Sequence, residues 1–124
     1  MNKRVLIIEN DQHIREIVEF ILKTQGFDTL SMPGPEDVSE LENLHADVIL
    51  LDEFINSRPG HRLCLKIRQV PALAGTPVIV LSTANDIELI AAECRANDYL
   101  SKPFDVELLV KKVTHLLDHR PLAC

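Results

Sequence analysis

Glu9, Asn10, Asp11, Asp52, Ser82 and Lys102 each stand where a short apolar run of the chain stops. If those runs are parallel strands of one sheet, their carboxyl ends meet in a single crevice, which is where open α/β sheets hold their ligands. Three acidic side chains (Glu9, Asp11, Asp52), a hydroxyl and an ammonium gathered there suit a divalent cation and a phosphoryl group. Oxygen donors with no His or Cys beside them select a hard ion, and Mg²⁺ typically takes one or two carboxylates and keeps several waters. Each residue taken alone has a plainer role. Asp11 can cap a helix, Ser82 can simply end a strand, and Lys102 can be a surface lysine. Their joint placement after successive runs favours the crevice.

The elements that must position them are legible from period. Lys3 to Ile8, Asp47 to Leu51 and Pro77 to Leu81 are continuous apolar runs rich in Val, Ile and Leu, as expected of strands buried on both faces. Between His13 and Gln25 the apolar positions Ile14, Ile17, Val18, Ile21 and Leu22 follow helical spacing, with Arg15, Glu16, Glu19 and Lys23 on the opposite face. Asp11 is placed to cap that helix and Gly26 to stop it. A second clear helix runs from Asp105 to Leu117, carrying Val106, Leu109, Val110, Val113, Leu116 and Leu117, with Lys111 and Lys112 toward the negative end of its dipole. Weaker signals predict strands at Phe27 to Ser31 and Asp98 to Ser101, and helices at Glu36 to Leu44, Gly60 to Arg68 and Asp86 to Arg95. Strict β-α alternation, five times over, implies a parallel sheet with right-handed crossovers and helices on both faces. In such a doubly wound α/β sheet the loops after the first and third strands lie side by side, which sets Glu9, Asn10 and Asp11 against Asp52.

Composition bounds the function. A chain of 124 residues, 46% hydrophobic and 26% charged, reads as one soluble globular domain (1–124, with its core at 3–118 and a short tail at 119–124). No DNA-binding appendage is expected, and output is expected to pass through the domain's own surface. The net charge of −6, without a basic stripe, argues against direct nucleic-acid binding. The apolar run at Val5-Leu-Ile-Ile8 is too short for a signal peptide or a membrane span. Cys64, Cys94 and Cys124 show no paired spacing, so Cys64 and Cys94 read as buried hydrophobes and the cytoplasm as the compartment. The five histidines show no metal spacing and read as surface residues.

The chain resembles the receiver domain of two-component response regulators from Arg4 to Leu117. The resemblance is carried by Val-Leu-Ile-Ile-Glu-Asn-Asp-Gln-His-Ile-Arg-Glu (5–16), Asp-Val-Ile-Leu-Leu-Asp-Glu (47–53), Pro-Val-Ile-Val-Leu-Ser-Thr-Ala (77–84) and Asn-Asp-Tyr-Leu-Ser-Lys-Pro-Phe (97–104). It implies a flavodoxin-like (βα)5 domain with strand order 2-1-3-4-5. It implies that Asp52 is the phosphoacceptor, taking a phosphoryl group from a sensor histidine kinase or phosphotransfer protein. It also implies Mg²⁺ held by Glu9, Asn10, Asp52 and the backbone carbonyl of Phe54. Ser82, Thr83, Lys102 and Tyr99 would answer the phosphoryl group, and Lys102-Pro103 would be cis. Such a protein is a stand-alone receiver signalling to an effector protein, not an enzyme beyond removing its own phosphoryl group.

Several positions depart from the family. Asn10 stands where a second acid is usual; at an effective dielectric of ~20, unit charges ~4 Å apart interact by about 4 kcal/mol before desolvation. A loss of about one or two decades in metal affinity is the expectation. The segment Glu-Phe-Ile-Asn-Ser-Arg-Pro-Gly after Asp52 lacks the usual residues, so a differently shaped loop is expected. The spacing from Ser82 to Lys102 is short and Arg95 replaces a common glycine, so the fourth helix is expected to be trimmed and the output partner unusual. Phe54 and Ala84 offer no side-chain hydrogen bond to water, which predicts slow self-dephosphorylation. The competing readings are a pseudo-receiver, an interaction module with a weakened metal site, and an FMN-binding electron carrier. The second is disfavoured because Glu9 and Asp11 repel a phosphate and there is no Trp to stack on a flavin.

Overall fold

The computed structural model describes residues 2–52, 54–55, 58–83 and 85–118, with backbone alone at 54–55 and 58–61. Ala84, the tail 119–124 and the Phe54 side chain lie outside the described residues. Strands β1 (Arg4–Ile8), β2 (Asp28–Met32), β3 (Val48–Asp52), β6 (Val78–Ser82) and β7 (Asp98–Ser101) form one sheet in the order β2-β1-β3-β6-β7. All four pairings are parallel. Counted by themselves, these strands lie 2-1-3-4-5, the expected doubly wound order. β4 (Phe54–Ile55) and β5 (Arg58–Pro59) make a separate small antiparallel pair directly after β3. Nothing in the apolar pattern announced that pair, although the unusual residues after Asp52 fit a reshaped loop.

Helices α1 (Gln12–Thr24) and α4 (Val106–Asp118) cover one face of the sheet, and α2 (Gly60–Gln69) and α3 (Ile87–Glu93) the other. Asp11 caps α1 by accepting from His13 N at 2.9 Å and Ile14 N at 3.3 Å, and Gly26 at φ +90° ends it, a backbone that favours glycine. Asp105 accepts from Glu107 N at 2.8 Å at the start of α4.

The helix expected at 36–44 is only a 3-10 turn, Val38–Leu41. Asp37 and Glu40 form a capping box that starts a helix. However, Val38, Leu41 and Leu44 are spaced by three, the period of a 3-10 turn, and all face the core; His45 at φ 53° then breaks the run. The fourth helix is α3, seven residues or about two turns, and it ends in Arg95 at φ 60°. Arg95 therefore adopts the left-handed backbone that a glycine would take freely.

Cys64 and Cys94 are fully buried, as expected of small apolar residues, and the Cys64 thiol donates to the Cys94 carbonyl at 3.2 Å. His13, His45 and His115 are exposed. Ile17, expected in the core, is 59% exposed and neighbours the more exposed Phe20. The apolar stripe that docks α1 is Ile14, Val18 and Leu22, and Ile17 lies at its margin. No helix among the described residues is long and apolar enough to cross a membrane.

Candidate functional site

Strand register assembles the site. Ile8 is level with Leu51, so Glu9 follows β1 beside Asp52 at the end of β3. Asp52 pairs with Leu81, which puts Ser82 one step further along the neighbouring strand. Ser82 in turn pairs with Ser101, and Lys102 N donates to Ser82 O at 2.8 Å. Residues separated by up to 93 positions in the chain (9 to 102) thus meet at one edge. The Lys102-Pro103 peptide is cis, as the resemblance implied.

The chemistry of this edge follows from burial. Glu9, Asp52 and Ser82 are 5%, 7% and 1% exposed. Lys102 Nζ forms a hydrogen-bonded ion pair with Asp52 Oδ1 and lies 3.7 Å from Glu9 Oε2. Two carboxylates against one ammonium leave a net negative charge when all are ionised. Glu9 Oε1 accepts from Asp11 N at 3.0 Å, whereas Oε2 is buried and accepts no hydrogen bond from any described residue. Burial pushes the Glu9 carboxyl above its ordinary value, the Asp11 amide pulls it back, and the neighbouring Asp52 adds to the rise.

An orphaned carboxylate oxygen of this kind fits a cation. Glu9 and Asp52 supply the one or two carboxylates that Mg²⁺ uses beside its waters. No group of three or more His, Cys, Asp or Glu that could hold a metal exists among the described residues. Asp11 is committed to capping α1 and does not join the pair. Asn10 Oδ1 accepts from Gly34 N at 2.8 Å. The Phe54 backbone enters β4, two residues beyond Asp52.

Thr83 follows Ser82 and is exposed; Tyr99 is half-buried on β7, level with Val80. Lys112 Nζ of α4 reaches Asp98 Oδ1 at 2.8 Å and sits 5.5 Å from the Tyr99 ring centroid. That contact, and not the helix dipole alone, is what the lysine serves.

Two arginines escaped the sequence reading. Arg15 was assigned to a solvent face, yet its Nη1 donates to Glu9 O at 2.6 Å and Asn10 O at 3.3 Å, fixing the acidic turn from α1. Arg68 donates to Arg95 O at 2.9 Å, Ala74 O at 3.2 Å, Thr76 O at 2.6 Å and Asn97 Oδ1 at 2.6 Å. Neither contact leaves a local signal, since the acceptors are mostly backbone carbonyls on other elements.

Fold and site together define a class, a flavodoxin-like doubly wound domain whose switch-point crevice is acidic and carries a lysine. Within it, the chain belongs to the response regulator receiver domain family, which matches residues 5–114. It is 32% identical over 117 residues to the sensory transduction protein RegX3 of Mycolicibacterium smegmatis, covering 91% of this chain and 50% of that protein. It is 33% identical over 118 residues to the transcriptional regulatory protein GltR of Pseudomonas aeruginosa, covering 93% of this chain and 49% of that protein. The chain thus spans about half the length of these curated relatives. The Francisella response regulator 1452 receiver domain superposes with a TM-score of 0.86 at 26% identity, over 97% of this chain and all of that one. The Vibrio cholerae chemotaxis protein CheY4 shares the fold, with a TM-score of 0.84 at 23% identity over 94% of this chain and 100% of that one. The protein is a response regulator receiver domain of two-component signalling.

Proposed function

We propose that this receiver accepts a phosphoryl group on Asp52 from a histidine kinase or phosphotransfer protein and passes the change to an effector protein. The observation that carries the reading is the buried Asp52 carboxylate, paired with Lys102 beside a carboxylate oxygen of Glu9 that has no hydrogen-bond partner among the described residues. The Asp52 oxygen attacks phosphorus, a P–O bond forms, the P–N bond of phosphohistidine breaks, and the imidazole leaves and takes up a proton. Lys102 then turns from Asp52 to the phosphoryl oxygens, and the Ser82 hydroxyl donates to another, both through strong charge-assisted bonds. A divalent cation held by Glu9, Asp52 and the Phe54 carbonyl would supply positive charge against the same oxygens.

Tyr99, under the Lys112 ammonium, and Thr83 are the groups placed to relay the change toward α3 and α4. The net charge of −6 makes an effector protein a better direct partner than nucleic acid. The domain is a substrate of its kinase and turns nothing over apart from its own acyl phosphate. Phe54 and Ala84 carry no side-chain hydrogen-bonding group for water, so that acyl phosphate should last well beyond seconds in the purified protein.

The test is incubation with a small-molecule phosphodonor, with and without Mg²⁺, read by intact mass. A gain of one phosphoryl group that requires both Mg²⁺ and Asp52, and is lost in Asp52→Ala, is expected. A second reading, a pseudo-receiver that binds partners without phosphorylation, draws on the amide at Asn10. No mass gain from folded protein, with donor or with kinase, would favour it.

A further inference from the structure

We propose that Asn10 is the anchor of the Pro33–Gly34–Pro35 loop and not a ligand of the cation, so that Glu9 and Asp52 are the side chains that hold the ion. The cation half of this rests on the receiver chemistry proposed above; the anchoring half does not.

Proline carries no backbone N–H, so Gly34 supplies the single amide donor of the three-residue run 33–35. That donor is given to Asn10 Oδ1 at 2.8 Å, across 24 residues of sequence. The same loop is held once more at its root, where Glu9 N donates to Met32 O at 3.0 Å. An amide suits this contact. The atom facing an N–H must be oxygen, and a neutral acceptor at position 10 satisfies the loop without adding a third charge beside Glu9 and Asp52.

The backbone of the turn is fixed independently of the Asn10 side chain. Arg15 Nη1 binds the carbonyls of Glu9 and Asn10, and the Glu9 carboxylate takes the Asp11 amide. Cutting Asn10 back to its Cβ therefore removes the acceptor of the Gly34 amide while leaving Glu9 where it is. A ligand and an anchor predict opposite outcomes for that one substitution.

The experiment uses the full chain, as wild type, Asn10→Ala and Asn10→Asp. Exchange of the Gly34 amide is read residue by residue by nuclear magnetic resonance, and Mg²⁺ affinity is read by titration calorimetry. In Asn10→Ala the Gly34 amide should exchange about fivefold faster or more, with protection across β1, β3 and β6 unchanged. Its Mg²⁺ Kd should stay within about threefold of wild type. In Asn10→Asp, whose carboxylate still accepts from Gly34, protection should persist while Mg²⁺ binds about tenfold tighter or more. Unchanged Gly34 exchange in Asn10→Ala overturns the proposal, and so does a loss of Mg²⁺ affinity beyond threefold. If wild type binds no Mg²⁺, the cation chemistry proposed for the receiver fails, and Gly34 exchange alone upholds or overturns the anchor.

Discussion

Glu9 shows how a single side chain at the site couples stability to pH and to cation binding. Its carboxyl is raised, first by burial, above the 4.5 of an unperturbed glutamate. A raised acid contributes stability that is present below the unfolded value and is lost as pH rises through the folded one. Glu9→Gln has no such titration. The variant should therefore gain on wild type as pH rises through that window, measured as urea midpoints from about pH 4 to about pH 7. Added Mg²⁺ should raise the wild-type midpoint at neutral pH, by mass action on the folded state, and should raise that of Glu9→Gln far less. A pH-independent gap between the two proteins would mean that the carboxyl is not raised by its surroundings.

Between elements, polar contacts do the work that the apolar pattern leaves undone. Glu19 of α1 accepts from Thr29 at 3.0 Å and from Ser31, both on edge strand β2. The Ser31 hydroxyl does most to hold the Glu19 carboxyl below its ordinary value. Its contribution to stability is present above about 4.5 and is lost as pH falls through the lowered value. Glu19→Ala should cost about 1.5–3 kcal/mol at neutral pH, and the difference from wild type should shrink in acid.

Arg68 ties α2 to the turn between α3 and β7 through Arg95 O and Asn97 Oδ1 and to the segment before β6 through Ala74 O and Thr76 O, so Arg68→Ala should cost about 2 kcal/mol and Arg68→Lys should recover little of it. Arg95, left-handed at φ 60°, gives a case of opposite sign. Arg95→Gly removes a backbone cost of about 1–2 kcal/mol and adds unfolded-chain entropy of about 0.4–1 kcal/mol. A net gain between zero and about 1.6 kcal/mol is expected by chemical denaturation, because Arg68 binds the backbone carbonyl that glycine retains.

At the scale of the whole molecule, one sheet serves two apolar layers. Neighbours on β3 point to opposite layers, Ile49 toward α2 and α3, and Leu50 toward α1 and α4. Both are fully buried. Ile49→Ala and Leu50→Ala should each cost about 2–5 kcal/mol. Since every layer rests on the same strands, each variant should unfold in one transition by both far-UV circular dichroism and intrinsic tyrosine fluorescence. Separate transitions would mean that the layers are independent units.

Period and strand ends are local properties, and what depended on them was determined by the sequence itself. The sheet strands, α1 and α4, the cap at Asp11, and the positions of Glu9, Asp52, Ser82 and Lys102 all belong here. The departure at Arg95 was visible only through the resemblance to the receiver family, in which a glycine is common at that position.

What depended on register and on distant partners was decided only by the tertiary structure. The Asn10 amide met Gly34, 24 residues away, and Arg68 met Arg95 and Asn97, 27 and 29 residues away. Ile17 sat on helical period and still faced solvent, because α1 docks on the sheet through Ile14, Val18 and Leu22 and leaves Ile17 at the margin. The capping box at Asp37 could start a helix but could not extend it, since the core asked for Val38, Leu41 and Leu44 at a spacing of three. Glu9 lost its ordinary acidity for the same reason. Burial beside Asp52 is a property of two strands placed in register, and neither strand carries it alone.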